Sequence, residues 1–133
     1  MSEDTNPDWV GEDEIYKENI LDHYKHPRNF GEIKNSFCQE ESNPLCGDEV
    51  KLYVKVENGK VIDAKFVGKG CAISMAATSM LTEKIKGMAF AELEKLGKDD
   101  ILEMIGVPLG VVRMKCGLLS WRALKKIIEK MGE

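Results

Sequence analysis

At 133 residues the chain suits one domain, and a domain of that length buries roughly two-thirds of its unfolded surface without a disulfide or metal staple. Hydrophobic residues make up 43% and charged residues 32%, as in a soluble globular protein, and a net charge of −4 argues against a nucleic-acid binder, which needs a concentrated basic surface. No apolar run approaches the roughly 20 residues of a membrane span and no signal-peptide pattern opens the chain, so a cytoplasmic protein with no membrane partner is expected.

Residues 2–14, SEDTNPDWVGEDE, carry six acids and no base, and residues 1–14 are expected to form a mobile acidic arm ahead of a single domain over 15–133. Trp9 and Val10 are the sizeable apolar residues of that arm. From Glu14 the stretch IYKENILDHYKHP reads as a helix with Ile15, Ile20, Leu21 and Tyr24 on its apolar side, ended by Pro27. The segment around Phe37 and Cys38 is expected to add an edge strand. Val50, Leu52, Val54 and Val56 then alternate with Glu49, Lys51, Tyr53 and Lys55, the pattern of a half-buried strand. Asn58-Gly59 supplies a tight hairpin turn, and a second strand follows with Ile62, Ala64 and Phe66 inward against Asp63 and Lys65.

After Gly68 and Gly70 the period changes. CAISMAATSMLTEKIKG, residues 71–87, predicts a well-buried helix stopped by Gly87. FAELEKL and DDILEMI predict two short helices, and Pro108 and Gly110 break the chain before the last one. There Leu118, Trp121, Leu124, Ile128 and Met131 form a helical stripe that reads as core packing, with Lys125, Lys126, Glu129 and Lys130 facing water. The basic residues from Arg113 to Lys130 read as a solvated helix face. The fold class expected is α+β: a small antiparallel sheet of about three strands packed against several helices.

Four cysteines stand at 38, 46, 71 and 116, without a Cys-x-x-Cys pair, so any metal site must be gathered from distant segments. Cys46 falls in the turn NPLCGDEV leading into the hairpin, Cys71 at the start of the buried helix, and Cys116 at or near the start of the last helix. A helix N-terminus favours thiolate over thiol. Gly47, Gly70 and Gly117 adjoin these cysteines and could let backbone approach an inorganic ligand, and Asp48 adds a carboxylate. Three thiolates and a carboxylate make the four ligands of tetrahedral zinc or of a [2Fe–2S] cluster. Positions alone weigh this evenly against a plainer reading, in which Cys71 and Cys116 are buried small hydrophobes and Asp48 closes a turn.

NPLCGDEVKLYVKV, GKGCAISMAATSML and MKCGLLSWRAL, preceded by ILDHYKHPRNFG, closely resemble the IscU/NifU-type iron–sulfur cluster assembly scaffolds, in the same order and from about Tyr16 to Ile128. The resemblance implies a SufE/IscU-like fold and a ligand set of Cys46, Asp48, Cys71 and Cys116, with Asp48 as the ligand that influences cluster release. It implies a scaffold that is not itself an enzyme. A pyridoxal-phosphate cysteine desulfurase would supply sulfur, iron would join it, and a labile [2Fe–2S] cluster would pass to recipient apo-proteins. A monomer or weak homo-oligomer is expected.

Two departures qualify the match. Lys115 stands where many IscU proteins have histidine; a protonated lysine cannot bind metal, but it can lower the pKa of Cys116 and offset cluster charge. Cys116 is on that ground the expected persulfide acceptor. Lys115 and CGLLSWRAL match SufU-type proteins, which bind zinc and accept sulfur, yet the 44 residues between Cys71 and Cys116 leave no room for the extra SufU segment. The alternative reading is therefore a zinc-bound SufU-like sulfurtransferase that stimulates a cysteine desulfurase. VPLGVV, residues 107–112, keeps little of the family's chaperone-recognition segment, which leaves a dedicated Hsp70 partner doubtful. Cys38 and the methionines 75, 80, 88 and 104 read as packing residues, and His23 and His26 as structural or docking residues.

Overall fold

The structure, a computed structural model, describes residues 12–44 and 47–132. In chain order the elements are α1 (Glu12–Lys25), β1 (Phe37–Asn43), β2 (Asp48–Glu57), β3 (Lys60–Lys69), α2 (Ala72–Ile85), α3 (Phe90–Lys95), α4 (Lys98–Ile105), α5 (Val111–Gly117) and α6 (Leu119–Met131). The strands form one antiparallel sheet in the order β1-β2-β3, so the α+β expectation holds. Asn58 and Gly59 both take positive φ, 53° and 75°, which joins β2 to β3 through the tight turn expected of that dipeptide.

One face of the sheet buries Val50, Leu52, Val54, Ala64 and Phe66. The β3 pattern expected from alternation fails at one residue. Ile62 is 47% exposed while Val61 is buried, because Lys55 pairs with Asp63 but Val56 pairs with Val61. Ile62 is the extra residue of a β-bulge, and the slip turns Val61 into the core in its place.

The free edges of the sheet are managed rather than left open. Beside β3, Phe66 donates its N–H to Asn29 O at 3.0 Å and accepts from Gly31 N–H at 2.8 Å. Val61 does the same with Met88 O and Gly87 N–H. Beside β1, the Lys130 ammonium donates to Cys38 O at 2.7 Å and the Gln39 carboxamide to Glu40 O at 3.0 Å.

α2 is the central helix. Ala76, Ala77, Thr78, Leu81 and Ile85 are buried to 1% exposure or less. Its small residues admit neighbours on several sides: α1, α6 and the sheet all pack against it. Two corrections concern the other long helices. On α1, Ile20 is buried but Leu21 and Tyr24 are 48% and 44% exposed, and His23 takes the inward position instead. Its ring fits because α2 offers Ser79 Oγ 2.8 Å from Nδ1. Ile15 falls where the side chains are not described. On α6 the fully buried residues are Leu119, Ala123, Leu124 and Ile127, with Trp121, Ile128 and Met131 at the margin. The stripe is rotated because a separate helix, α5, precedes α6 and Leu118 is the joint between them.

Candidate metal centre

The centre forms where β2 begins, α2 begins and α5 ends. Asp48 opens β2 and is fully buried, opposite Asn43, the last residue of β1. Its Oδ1 accepts the Cys71 N–H at 2.9 Å, and its Oδ2 lies 3.8 Å from Cys71 Sγ. Gly70 makes this approach possible, since a Cβ there would run into the Asp48 carboxylate. Cys71 stands at the start of α2, as the sequence predicts, where it is the N-cap and its Sγ accepts the Ser74 N–H at 3.4 Å.

Cys116 is not at a helix start. It sits near the C-terminal end of α5, 2% exposed, so a helix N-terminus contributes nothing to its thiolate. The reading failed because Pro108 and Gly110 suggest one break, whereas the chain makes a second at Leu118. Gly117 also serves packing here: a Cβ would stand 2.8 Å from Leu109 Cδ1 and 3.1 Å from Ile105 Cδ1. The Asn43 carboxamide reaches Cys116 from β1, with Nδ2 3.8 Å from Sγ.

One ligand atom each from Asp48, Cys71 and Cys116 lies within 4.8 Å of the other two. The structure thus unites three residues that stand 23 and 45 positions apart in the chain. Cys46 lies outside the described residues. Its neighbour Gly47 takes φ +73° and donates its N–H to Asn43 O at 2.9 Å, a turn geometry that glycine supplies at little cost. Lys115 is exposed, and its side chain is not of a ligating type. Cys38 lies at the other end of β1 from Asn43, opposite Tyr53. His23 is buried and His26 exposed, so they do not share a face. Met75 and Met80 are core residues, and Met88 and Met104 pack at its edge.

Two residues of the neighbourhood escaped the sequence reading. Asn43 stands at the front of NPLCGD, where a turn residue needs no further explanation. Ser74 falls at the third helical position after Cys71, a spacing that could have drawn attention to it. Its buried Oγ has no hydrogen-bond partner among the described residues, although its N–H meets Cys71 Sγ.

The donor set fits a soft metal. Two sulfurs and a carboxylate gathered in one buried place repel one another once ionised, and a bound cation relieves that repulsion.

The NifU-like N terminal domain family profile matches residues 15–132. The chain is 38% identical over 135 residues to the zinc-dependent sulfurtransferase SufU of Bacillus subtilis, covering 89% of this chain and 92% of that one. It is 38% identical over 116 residues to the iron-sulfur cluster assembly enzyme IscU of Drosophila melanogaster, covering 84% and 74%. A crystal structure described as an iron-sulfur cluster assembly scaffold of the SUF system, from Fervidobacterium islandicum AW-1, superposes with a TM-score of 0.73 at 32% identity, over 89% of this chain and 99% of that one.

Proposed function

The chain belongs to the family of NifU-like N-terminal domains, and from that premise we propose that it is a scaffold on which a labile [2Fe–2S] cluster is built and released. The observation that carries this reading is the convergence of Asp48, Cys71 and Cys116, of which Asp48 and Cys116 are buried and Cys71 partly exposed. Cys46, two residues before Asp48 in the chain, is the proposed fourth ligand. A cysteine desulfurase would bring sulfur as persulfide, an external electron donor would reduce it to sulfide as iron entered the thiolate site, and the finished cluster would pass to apo-proteins.

A permanent site generally uses four thiolates. Replacing one soft sulfur by the hard Asp48 oxygen gives a bond that is more easily exchanged, which suits a platform that must give up its product. Cys116, beside Lys115, is the proposed first sulfur acceptor. Its burial means that α5 must shift before a donor can reach its sulfur.

A second reading is favoured by one dimension of the site. Ligand atoms at tetrahedral angles on a single zinc stand roughly 3.8 Å apart, given a Zn–S bond of about 2.3 Å, and the three ligand atoms lie within 4.8 Å of one another, so a small contraction would suit one ion. A [2Fe–2S] cluster shares its ligands between two irons, so this arrangement would have to spread to hold one. In the compact state the chain would be a zinc-bound sulfur acceptor that stimulates the desulfurase; the Bacillus subtilis relative is named a zinc-dependent sulfurtransferase.

Anaerobic reconstitution with iron, cysteine and a cysteine desulfurase decides between them. Visible absorption of a [2Fe–2S] centre and its transfer to an apo-ferredoxin are the expected result. Tightly held zinc with faster desulfurase turnover and no cluster would establish the second reading. Neither metal nor desulfurase stimulation would refute both.

A further inference from the structure

We propose that Asn43 is a positioning residue of this centre: its carboxamide N–H holds Cys116 Sγ in place beside Asp48 and Cys71, and tempers the donor strength of that sulfur when it binds metal. The proposal rests on the metal-binding reading above for its second half, and on geometry alone for its first.

Asn43 is 4% exposed. Burying a carboxamide costs free energy unless its polar atoms find partners, so such burial points to specific contacts. Three are on hand. Its backbone pairs with Asp48 across the β1–β2 ladder. Its backbone carbonyl accepts the Gly47 N–H at 2.9 Å. Its Nδ2 lies 3.8 Å from Cys116 Sγ, 73 residues further along the chain. Asn43 therefore ties α5, through its side chain, to the start of β2, through its backbone.

The chemistry of the donor is also suited to the place. A thiol sulfur is a weak acceptor, but a thiolate forms a charge-assisted hydrogen bond. An amide supplies that bond without adding a charge to the site, whereas Lys115 in the same helix is exposed. An N–H···S bond withdraws electron density from the sulfur, and hydrogen bonds to sulfur are among the levers that set the electronic properties of iron–sulfur centres.

Two measurements test this. In the metal-free protein, the Asn43 side-chain amide protons should resonate downfield in nitrogen-labelled NMR spectra and move upfield in the Cys116→Ala variant. Resonances indifferent to that substitution would overturn the contact. With cobalt(II) in the site, Asn43→Leu, which keeps the volume but removes the donor, should shift the sulfur-to-cobalt charge-transfer band to longer wavelength. An unmoved band would overturn the tempering of sulfur. Failure of wild-type protein to bind cobalt would sink the metal reading and that half of the proposal with it, while the NMR experiment, which keeps Asn43 in place, still decides the first half even if the leucine variant does not fold.

Discussion

Asp48 does two things that pull in opposite directions. As a hard ligand it would ease cluster release, yet its Oδ1 also satisfies the Cys71 N–H at the start of α2. Asp48→Ala should therefore lower stability by about 1–3 kcal/mol, the cost of leaving a buried donor unpaired, and still retain an assembled cluster longer and transfer it more slowly. Denaturant midpoints and transfer kinetics measure the two effects separately; faster cluster loss than wild type would show that Asp48 anchors the cluster. Ser74 gives the complementary case. Its orphaned Oγ weakens the metal-free fold, so Ser74→Ala should leave metal-free stability unchanged or raise it by up to about 1 kcal/mol. The zinc-loaded form should lose part of its gain in Tm. A metal-free variant that is clearly destabilised would contradict the view that the hydroxyl serves the loaded state.

At the scale of elements, the joint between α1 and α2 is polar and sensitive to pH. Ser79 Oγ accepts the Arg28 N–H at 2.9 Å and lies 2.8 Å from His23 Nδ1. Ser79 Oγ has two lone pairs and one rotatable proton, so it accepts the Arg28 N–H and can still pair with Nδ1. Burial first, and then the Arg28 cation, hold the His23 pKa below its ordinary value of 6.5, with Glu83 and Asp22 opposing weakly. The unfolded chain therefore takes up a proton that the folded one refuses as pH falls below that value, and stability drops. Above it the contribution is intact. The denaturant midpoint should fall between about pH 7.5 and about pH 5.5, and His23→Gln should flatten the slope. An unchanged slope would show that other groups govern it. Asp22 does not share this window: its carboxyl is lowered mainly by its hydrogen bond to Arg28, and that contribution is lost only in more acidic solution.

For the whole molecule, metal and fold are linked. The three described ligand-type residues come from β2, the start of α2 and α5, so an ion bound between them would brace segments far apart in the chain. Zinc at about 100-fold above its dissociation constant should stabilise the protein by about 2.7 kcal/mol and raise Tm by several degrees. Cys71→Ser should abolish most of that rise, and an equal rise in the variant would place the zinc elsewhere. No helix among the described residues is long and apolar enough to cross a membrane.

What the sequence determined by itself was whatever depends on near neighbours. The alternation through β2, the Asn58-Gly59 turn, the small-residue helix α2 and the capping position of Cys71 all follow from local spacing, because the strand and helix periods are set within a few residues. Four linked motifs, read as a family resemblance, also proposed Asp48, Cys71 and Cys116 together before any distance between them was known. Tertiary structure decided the rest. The bulge at Ile62 depends on which residue of β2 stands opposite. The exchange of His23 for Leu21 depends on a hydroxyl supplied by α2. The place of Cys116 at the end of α5 depends on how Leu109 and Ile105 pack beneath Gly117. Asn43 could be linked to Cys116 only by the fold, since 73 residues separate them and no local period reaches that far.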